Sequence, residues 1–225
     1  MHMLIPQTAL VIFSGGQDST TCLGWARNRY QRVETVSMAY GQRHQVELAQ
    51  AALIAQRLGT THHVIQAEFF GGLVHSALTH PGDISAGHQD HPNLPASFVP
   101  NRNAFFITLA HALAQTLGAQ TLVMGVNQTD YSGYPDCREP FIQAIMQALN
   151  LGAEVNIGME TPLLHLTKAQ TFALARQEGV LDEVLELSHT CYNGEPRQNP
   201  WGRGCGQCPA CVLRQKGYEE FVAQG

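Results

Sequence analysis

The sequence predicts an α/β fold: a doubly wound, mainly parallel sheet with a small cysteine-bearing appendage at its C-terminal end. Three observations lead there. Short apolar runs alternate with stretches of helical spacing, glycines punctuate the changeovers, and the region from Ser188 onward turns loop-rich and crowds four cysteines together.

Residues 9–13 (Ala-Leu-Val-Ile-Phe) form an apolar run ended by Gly15 and Gly16, and 20–29 then has helical spacing, which makes a first βα unit. Residues 33–40 read as a second strand closed by Gly41, 46–58 as a helix stopped by Gly59, and 61–65 as a third strand. A helix over 102–117, a strand over 121–126, a helix over 141–151 and a strand over 155–157 follow. Thr167-x-x-Gln170 is a capping-box pattern that opens a helix running to about Gly179. Repeated βα order places ligands at the carboxyl ends of the strands.

Two segments depart from this rhythm. Residues 66–100 hold Gly71, Gly72, Pro81, Pro92, Pro95 and Pro100 with little periodicity, so residues 71–98 are expected to form a mobile cover over the site. Its irregularly spaced His75, His80, His88 and His91 are expected to face solvent or substrate rather than a metal. The second departure carries the cysteines and ends in a helix over 209–222. Two units are therefore expected, residues 1–187 and 188–225.

Composition narrows the classes. The chain has 225 residues, 44% hydrophobic and 14% charged, which fits a folded protein and excludes a low-complexity one. Folding at this size hides about 70% of the unfolded surface. Thirteen basic against eighteen acidic residues leave a net charge of −5, without the basic excess that a phosphate backbone demands, so a small-molecule substrate is favoured over direct contact with nucleic acid. No apolar run reaches the length of a membrane span, and residues 1–4 lack a signal-peptide pattern, so a cytoplasmic protein is expected. In that reducing compartment, crowded thiols point to a metal rather than to disulfides.

The first chemical motif is Ser14-Gly15-Gly16-Gln17-Asp18-Ser19, between the opening strand and its helix. Glycines let backbone N–H groups converge on an anion, the serines add hydroxyls, and the helix start adds partial positive charge. No Lys-Ser/Thr follows, so this is not a P-loop of the Walker type. Asp18 would repel phosphate unless a divalent cation lies between them, which makes a polyphosphate with Mg²⁺ the consistent ligand. The second motif is Cys191-x13-Cys205-x2-Cys208-x2-Cys211, with Gly204, Gly206 and Pro209 for turns. Four thiolates saturate one tetrahedral structural Zn²⁺ per chain; an iron–sulfur cluster is the competing reading, and His189 is a spare ligand.

Ser-Gly-Gly-x-Asp-Ser after a first strand resembles the PP-loop of the ATP pyrophosphatases, whose fold is adenine nucleotide alpha hydrolase-like. The resemblance implies an ATP-binding segment made of Phe13, Ser14, Gly15, Gly16, Gln17, Asp18, Ser19, Thr20, Thr21, Cys22 and Leu23, with Cys22 read as an apolar filler. Tyr40-Gly-Gln-Arg-His44, Val99-Pro-Asn-Arg-Asn103, Gly125-Val-Asn-Gln-Thr-Asp-Tyr-Ser-Gly-Tyr-Pro-Asp-Cys-Arg138, Thr161-Pro-Leu163 with Thr167-Lys168, and the four cysteines resemble the QueC family of 7-cyano-7-deazaguanine (preQ0) synthases, over nearly the whole chain.

That resemblance implies an ATP-dependent carbon–nitrogen ligase. It would convert 7-carboxy-7-deazaguanine and ammonia, through adenylated acid and amide, to the 7-cyano base on the route to queuosine. Asp18, Lys168 and Arg102 are the candidate catalytic residues; Phe98, Asp130, Tyr131, Tyr134, Asp136 and Arg138 are the candidates for holding the substrate. A homodimer is compatible with this reading. Other readings are a PP-loop tRNA sulfurtransferase, which would need a basic RNA face and redox cysteines, a glutamine-dependent amidotransferase, which would need a further domain, and a non-catalytic nucleotide- and zinc-binding module.

Overall fold

The chain runs β1 (Ile5–Ile12), α1 (Gln17–Arg27), β2 (Tyr30–Ala39), α2 (Val46–Arg57), β3 (Thr61–Gln66), α3 (Arg102–Leu117), β4 (Thr121–Met124), α4 (Glu139–Ala153), β5 (Gly158–Glu160), α5 (Lys168–Gln177), α6 (Leu181–Glu186), β6 (Gln198–Asn199), β7 (Gly202–Arg203) and α7 (Pro209–Ala223). The structure is a computed structural model that describes residues 4–42, 46–80, 82–83, 87–88, 90, 93–128 and 134–225. Strands β3, β2, β1, β4 and β5 lie side by side in that order, all parallel.

This is the expected doubly wound sheet. The chain moves outward in one direction from β1 to β3, then returns to β4 beside β1 and moves the other way. The order therefore reverses between β1 and β4, where Ile12 pairs with both Val36 and Met124. Alternate residues of β1 point to opposite faces. Ala9 and Val11 pack under α1, α2 and α5 with Leu23, Ile54 and Phe172, whereas Leu10 and Ile12 pack under α3 and α4 with Ile107, Ile142 and Met146. A central strand buried on both faces reads as a continuous apolar run, which is why β1 was visible in the sequence.

Differences from expectation have local causes. The strand over 155–157 is displaced to Gly158–Glu160, because Asn150 takes both backbone groups of Ile157: its Oδ1 accepts from the Ile157 N–H and its Nδ2 donates to the Ile157 carbonyl, each at 3.0 Å. Helix α6 was not anticipated; it has six residues, too few for a periodic signal.

The segment over 66–100 carries structure of its own. A short 3-10 helix, Glu68–Gly72, is followed by a bond from Ala77 N to Ala96 O at 2.9 Å and a bridge between Gly87 and Pro95. His75 and His80 are exposed as expected. His88 departs from expectation: it is buried, with its ring edge-on to Phe98 and its Nδ1 accepting from Asp90 N. His91 lies outside the described residues.

Helix α7 returns to the main body. Its Phe221 joins the core beneath α5, its ring centroid 5.8 Å from that of Phe172. No helix among the described residues is long and apolar enough to cross a membrane.

Candidate active site

A cavity of about 1300 Å³ opens at the carboxyl ends of β1 and β4, where the strand order reverses. Its floor is the turn between β1 and α1. Gly15 has φ +77°, and a Cβ there would stand 2.7 Å from Ala51 N and 2.8 Å from Glu47 O, so only glycine lets this turn press against α2. Gly125, just past β4, approaches the same turn from the other side: a Cβ would lie 3.1 Å from the Asp18 carbonyl carbon and 3.2 Å from Ser19 N.

The turn's own hydroxyls occupy its donors. Ser14 N donates to Ser19 Oγ at 3.3 Å, Gly16 N to Ser14 Oγ at 3.4 Å, and Gln17 N to Thr190 Oγ1 at 3.3 Å. Thr190 takes the first N–H of α1, that of Gln17, and the N-cap Gly16 brings no side-chain cap to the N–H groups of Asp18 and Ser19 that follow, which face an anion.

Asp18 faces Lys168. The Lys168 ammonium donates to both carboxylate oxygens, at 2.9 and 3.0 Å. Lys168 is the first residue of α5, and the predicted capping box is present: Thr167 Oγ1 accepts from Gln170 N at 3.2 Å while Thr167 N donates to Gln170 Oε1 at 2.8 Å. On its other side lies Gly217 of α7, where a Cβ would be 2.6 Å from the Lys168 stem. Thus two helices place the ammonium. A carboxylate flanked by Ser14 and Ser19 at the rim of an anion nest is a donor set suited to a hard divalent ion shared with phosphate oxygens.

The opposite wall is aromatic and carries Arg102, the first residue of α3. Burial works against its charge, but Tyr40, Tyr134 and Asp136 outweigh burial and keep the guanidinium protonated. Tyr40, Tyr134 and Tyr192 border the cavity with Arg102, and Tyr134 Oη lies 2.7 Å from Ser97 Oγ. Glu47 completes this wall; burial raises its carboxyl, Arg102 opposes the rise and Cys191 adds to it, with a net value of about 7.

Of the sequence-predicted residues, Phe13, Ser14, Gly16, Gln17, Asp18, Ser19, Arg102, Tyr134, Arg138 and Lys168 border the cavity. Asn93, Leu94, Pro95 and Ser97 bring the segment expected to cover the site to its rim. Thr20, Thr21, Cys22 and Leu23 are buried behind the nest in α1, and burial raises the Cys22 thiol well above its ordinary range, in keeping with a filler. Phe98 lies behind the wall, between His88 and Tyr134. Asp136 is buried beneath the start of α3, its Oδ2 accepting from Asn103 N at 3.1 Å. Asp130 and Tyr131 lie outside the described residues. Glu47, Thr190 and Tyr192 were not singled out from the sequence, and Tyr40 only as part of a family motif without a site role; they come from separate segments and converge in the fold.

Beyond the cavity, ligand atoms of Cys191, Cys205, Cys208 and Cys211 all lie within 4.8 Å of one another. Gly204, at φ +154°, makes this possible, since a Cβ would stand 2.4 Å from Cys211 Sγ. Gln207 N and Cys208 N donate to Cys205 Sγ at 3.4 and 3.3 Å, a pattern that stabilises a thiolate. Sharing protons with Cys208 and Cys211 pulls the Cys191 thiol down and, by the same interactions, raises the other two. Four thiolates coexist here only around a cation, so the cluster fits a metal. His189 is not part of it.

The sequence model of the queuosine biosynthesis protein QueC matches residues 8–222. The chain belongs to the QueC family. Among QueC-type relatives, the 7-cyano-7-deazaguanine synthase of Wolinella succinogenes is 55% identical, over 96% of this chain and 94% of the relative. The enzyme of that name from Helicobacter pylori (strain Shi470) is 50% identical, over 94% and 95%. A solved 4-thiouridine synthetase, in complex with RNA and with bound ATP, superposes with a TM-score of 0.55 at 15% identity, covering 95% of this QueC chain and 53% of that one, and so shares the fold.

Proposed function

We propose that this chain is a synthase of preQ0 in queuosine biosynthesis, converting 7-carboxy-7-deazaguanine, ammonia and ATP to 7-cyano-7-deazaguanine. The observation that carries the reading is one cavity holding both an anion nest with Asp18 and an opposite wall with a half-buried, charged Arg102 among tyrosines. The nest suits a polyphosphate; the wall suits a flat, hydrogen-bonding ring bearing a carboxylate.

A carboxylate resists ammonia until its oxygen becomes a leaving group. Attack of that oxygen on the α-phosphorus of ATP gives an acyl adenylate and pyrophosphate; ammonia adds to the acyl carbon and AMP leaves, giving the amide. A nitrile requires the amide oxygen to leave too, so that oxygen is adenylated in turn, and loss of AMP with the amide protons yields the C≡N bond. Arg102 holds the substrate carboxylate, Tyr134 and Tyr192 supply ring contacts, and Lys168 moves from Asp18 to phosphate oxygens as charge builds. Bound Mg²⁺, held by Asp18, would supply neutralisation of the polyphosphate. The cysteine cluster would take one structural Zn²⁺, with every position filled by protein.

The two cysteines outside the cluster do not favour sulfur transfer. The Cys22 thiol is buried, and burial, with Asp136 adding to it, pushes Cys137 up to about 11, so neither presents a thiolate. Mass spectrometry after incubation with 7-carboxy-7-deazaguanine, ammonium and Mg-ATP tests the reading. Appearance of the nitrile with AMP and pyrophosphate is expected; ATP turnover without amide or nitrile would sink it.

A further inference from the structure

The nest is completed by a residue from the far end of the chain. Thr190 follows α6, borders the cavity, and its Oγ1 accepts from Gln17 N at 3.3 Å, at the first turn of α1. The same oxygen accepts from Arg214 Nη1 at 3.1 Å. A threonine hydroxyl has two acceptor lone pairs and one proton to give. Both lone pairs are filled here, and no bond from Thr190 Oγ1 to an acceptor forms among the described residues. Its proton is left for something that enters the cavity.

What enters must accept a hydrogen bond beside the positive end of α1. A guanidinium and a helix-start N–H both point into the threonine oxygen, which polarises its O–H and makes it a stronger donor. The position is also well held. Arg214 is buried and donates to Val184 O, Ser188 Oγ and Trp201 O besides Thr190. His189 N, one residue earlier, donates to Gly15 O in the nest at 3.0 Å, and Cys191, one residue later, belongs to the metal-fitting cluster.

We infer that Thr190 is a phosphate-contacting residue of the nucleotide site, its hydroxyl donating to an anionic oxygen of the ATP polyphosphate and of the departing pyrophosphate. The inference rests on the reading of the nest as a nucleotide site. Removing one hydrogen bond to a charged group weakens binding by about 10-fold or more.

Calorimetric titration of the metal-loaded chain with Mg-pyrophosphate, Mg-ATP and adenosine tests it. Thr190→Val keeps the side-chain shape and should weaken pyrophosphate and ATP by about 10-fold while leaving adenosine within about twofold. Thr190→Ser should recover most of the lost affinity. Equal affinity of Thr190→Val and the wild type for pyrophosphate overturns the inference, as does equal weakening by valine and serine. If the wild type binds no nucleotide, the nucleotide reading itself falls, and the inference with it. Should the valine variant lose its metal or fold, amide resonances of the wild type decide: pyrophosphate, but not adenosine, should shift Thr190 and Gln17, and an unmoved Thr190 overturns the inference.

Discussion

Asp18 brings a negative charge to a turn whose backbone is arranged for anions, and the Lys168 ammonium answers it at 2.9 Å. In the proposed reaction the same carboxylate would serve both adenylations, because the nest is the one segment of its kind in the sequence. Asp18→Asn keeps the shape of the side chain and removes the charge that a divalent ion requires, so each adenylation should slow by about 100-fold or more. Supplying the amide isolates the second step; wild-type conversion of amide to nitrile by the Asn variant, with the first step abolished, would show the single-site scheme to be wrong. Glu47 gives a pH test on the facing wall. Its carboxyl is raised from 4.5 to about 7 chiefly by burial, so ionising it costs more in the folded than in the unfolded chain. The stability it leaves intact below about pH 4.5 is therefore lost as pH rises through 7. Denaturant midpoints should show the wild type losing stability relative to Glu47→Gln between pH 4.5 and about pH 7, the unfolded and folded values that bound the loss. A constant gap between them would contradict the raised carboxyl.

At the scale of elements, legibility depended on length and burial. Helix α3 was expected over 102–117 and is found at Arg102–Leu117, since its sixteen residues contain no glycine or proline and Gly118, at φ +67°, stops it. The shorter pieces depended on partners elsewhere. Asn150 reassigned the end of an apolar run, and nothing local in residues 181–186 distinguishes one helical turn from a loop. The nest was legible because Ser14 to Ser19 are consecutive; of the facing wall only Arg102 and Tyr134 were legible as site residues, because Tyr40, Glu47 and Tyr192 come from separate segments of the chain. Asp136 shows the limit of motif reading, since its chemistry suited a substrate edge while its place beneath α3 gives its oxygen to Asn103 N. Where local signal and function coincide, the prediction is sharp. Thr167 caps the helix whose first residue is Lys168, so Thr167→Ala should cost about 1 kcal/mol of stability and also loosen the ammonium from the nest. Thermal melts and kcat measured together check this; a stability loss with kcat unchanged would mean that Gly217 and α7 alone hold Lys168.

For the molecule as a whole, the question is whether the cysteine cluster is only a local staple. The proposed boundary between residues 1–187 and 188–225 is crossed by bonds that reach the nest: Thr190 accepts from Gln17 N, His189 N donates to Gly15 O, and Arg214 of α7 ties Thr190 to Val184 and Ser188. Cys191 and Cys211 anchor the two ends of that network, one beside Thr190 and the other a helical turn before Arg214. None of the four cysteines belongs to the two apolar layers of the sheet, although α7 lends Phe221 to one of them. Metal binding is coupled to folding where no preformed site survives without it. Removing the metal should therefore loosen residues 188–211 first and leave the sheet folded, and ATP affinity should fall by about 10-fold through loss of Thr190 from the nest. Elemental analysis should give zinc in the purified chain; an iron–sulfur chromophore, or zinc retained unchanged in Cys208→Ala, would defeat that assignment. Hydrogen exchange and nucleotide titration before and after chelation then separate the alternatives. If the chelated chain, shown to be metal-free, exchanges faster over residues 188–211 yet binds ATP as tightly as before, the cluster braces only its own loop and the coupling to the nest is refuted.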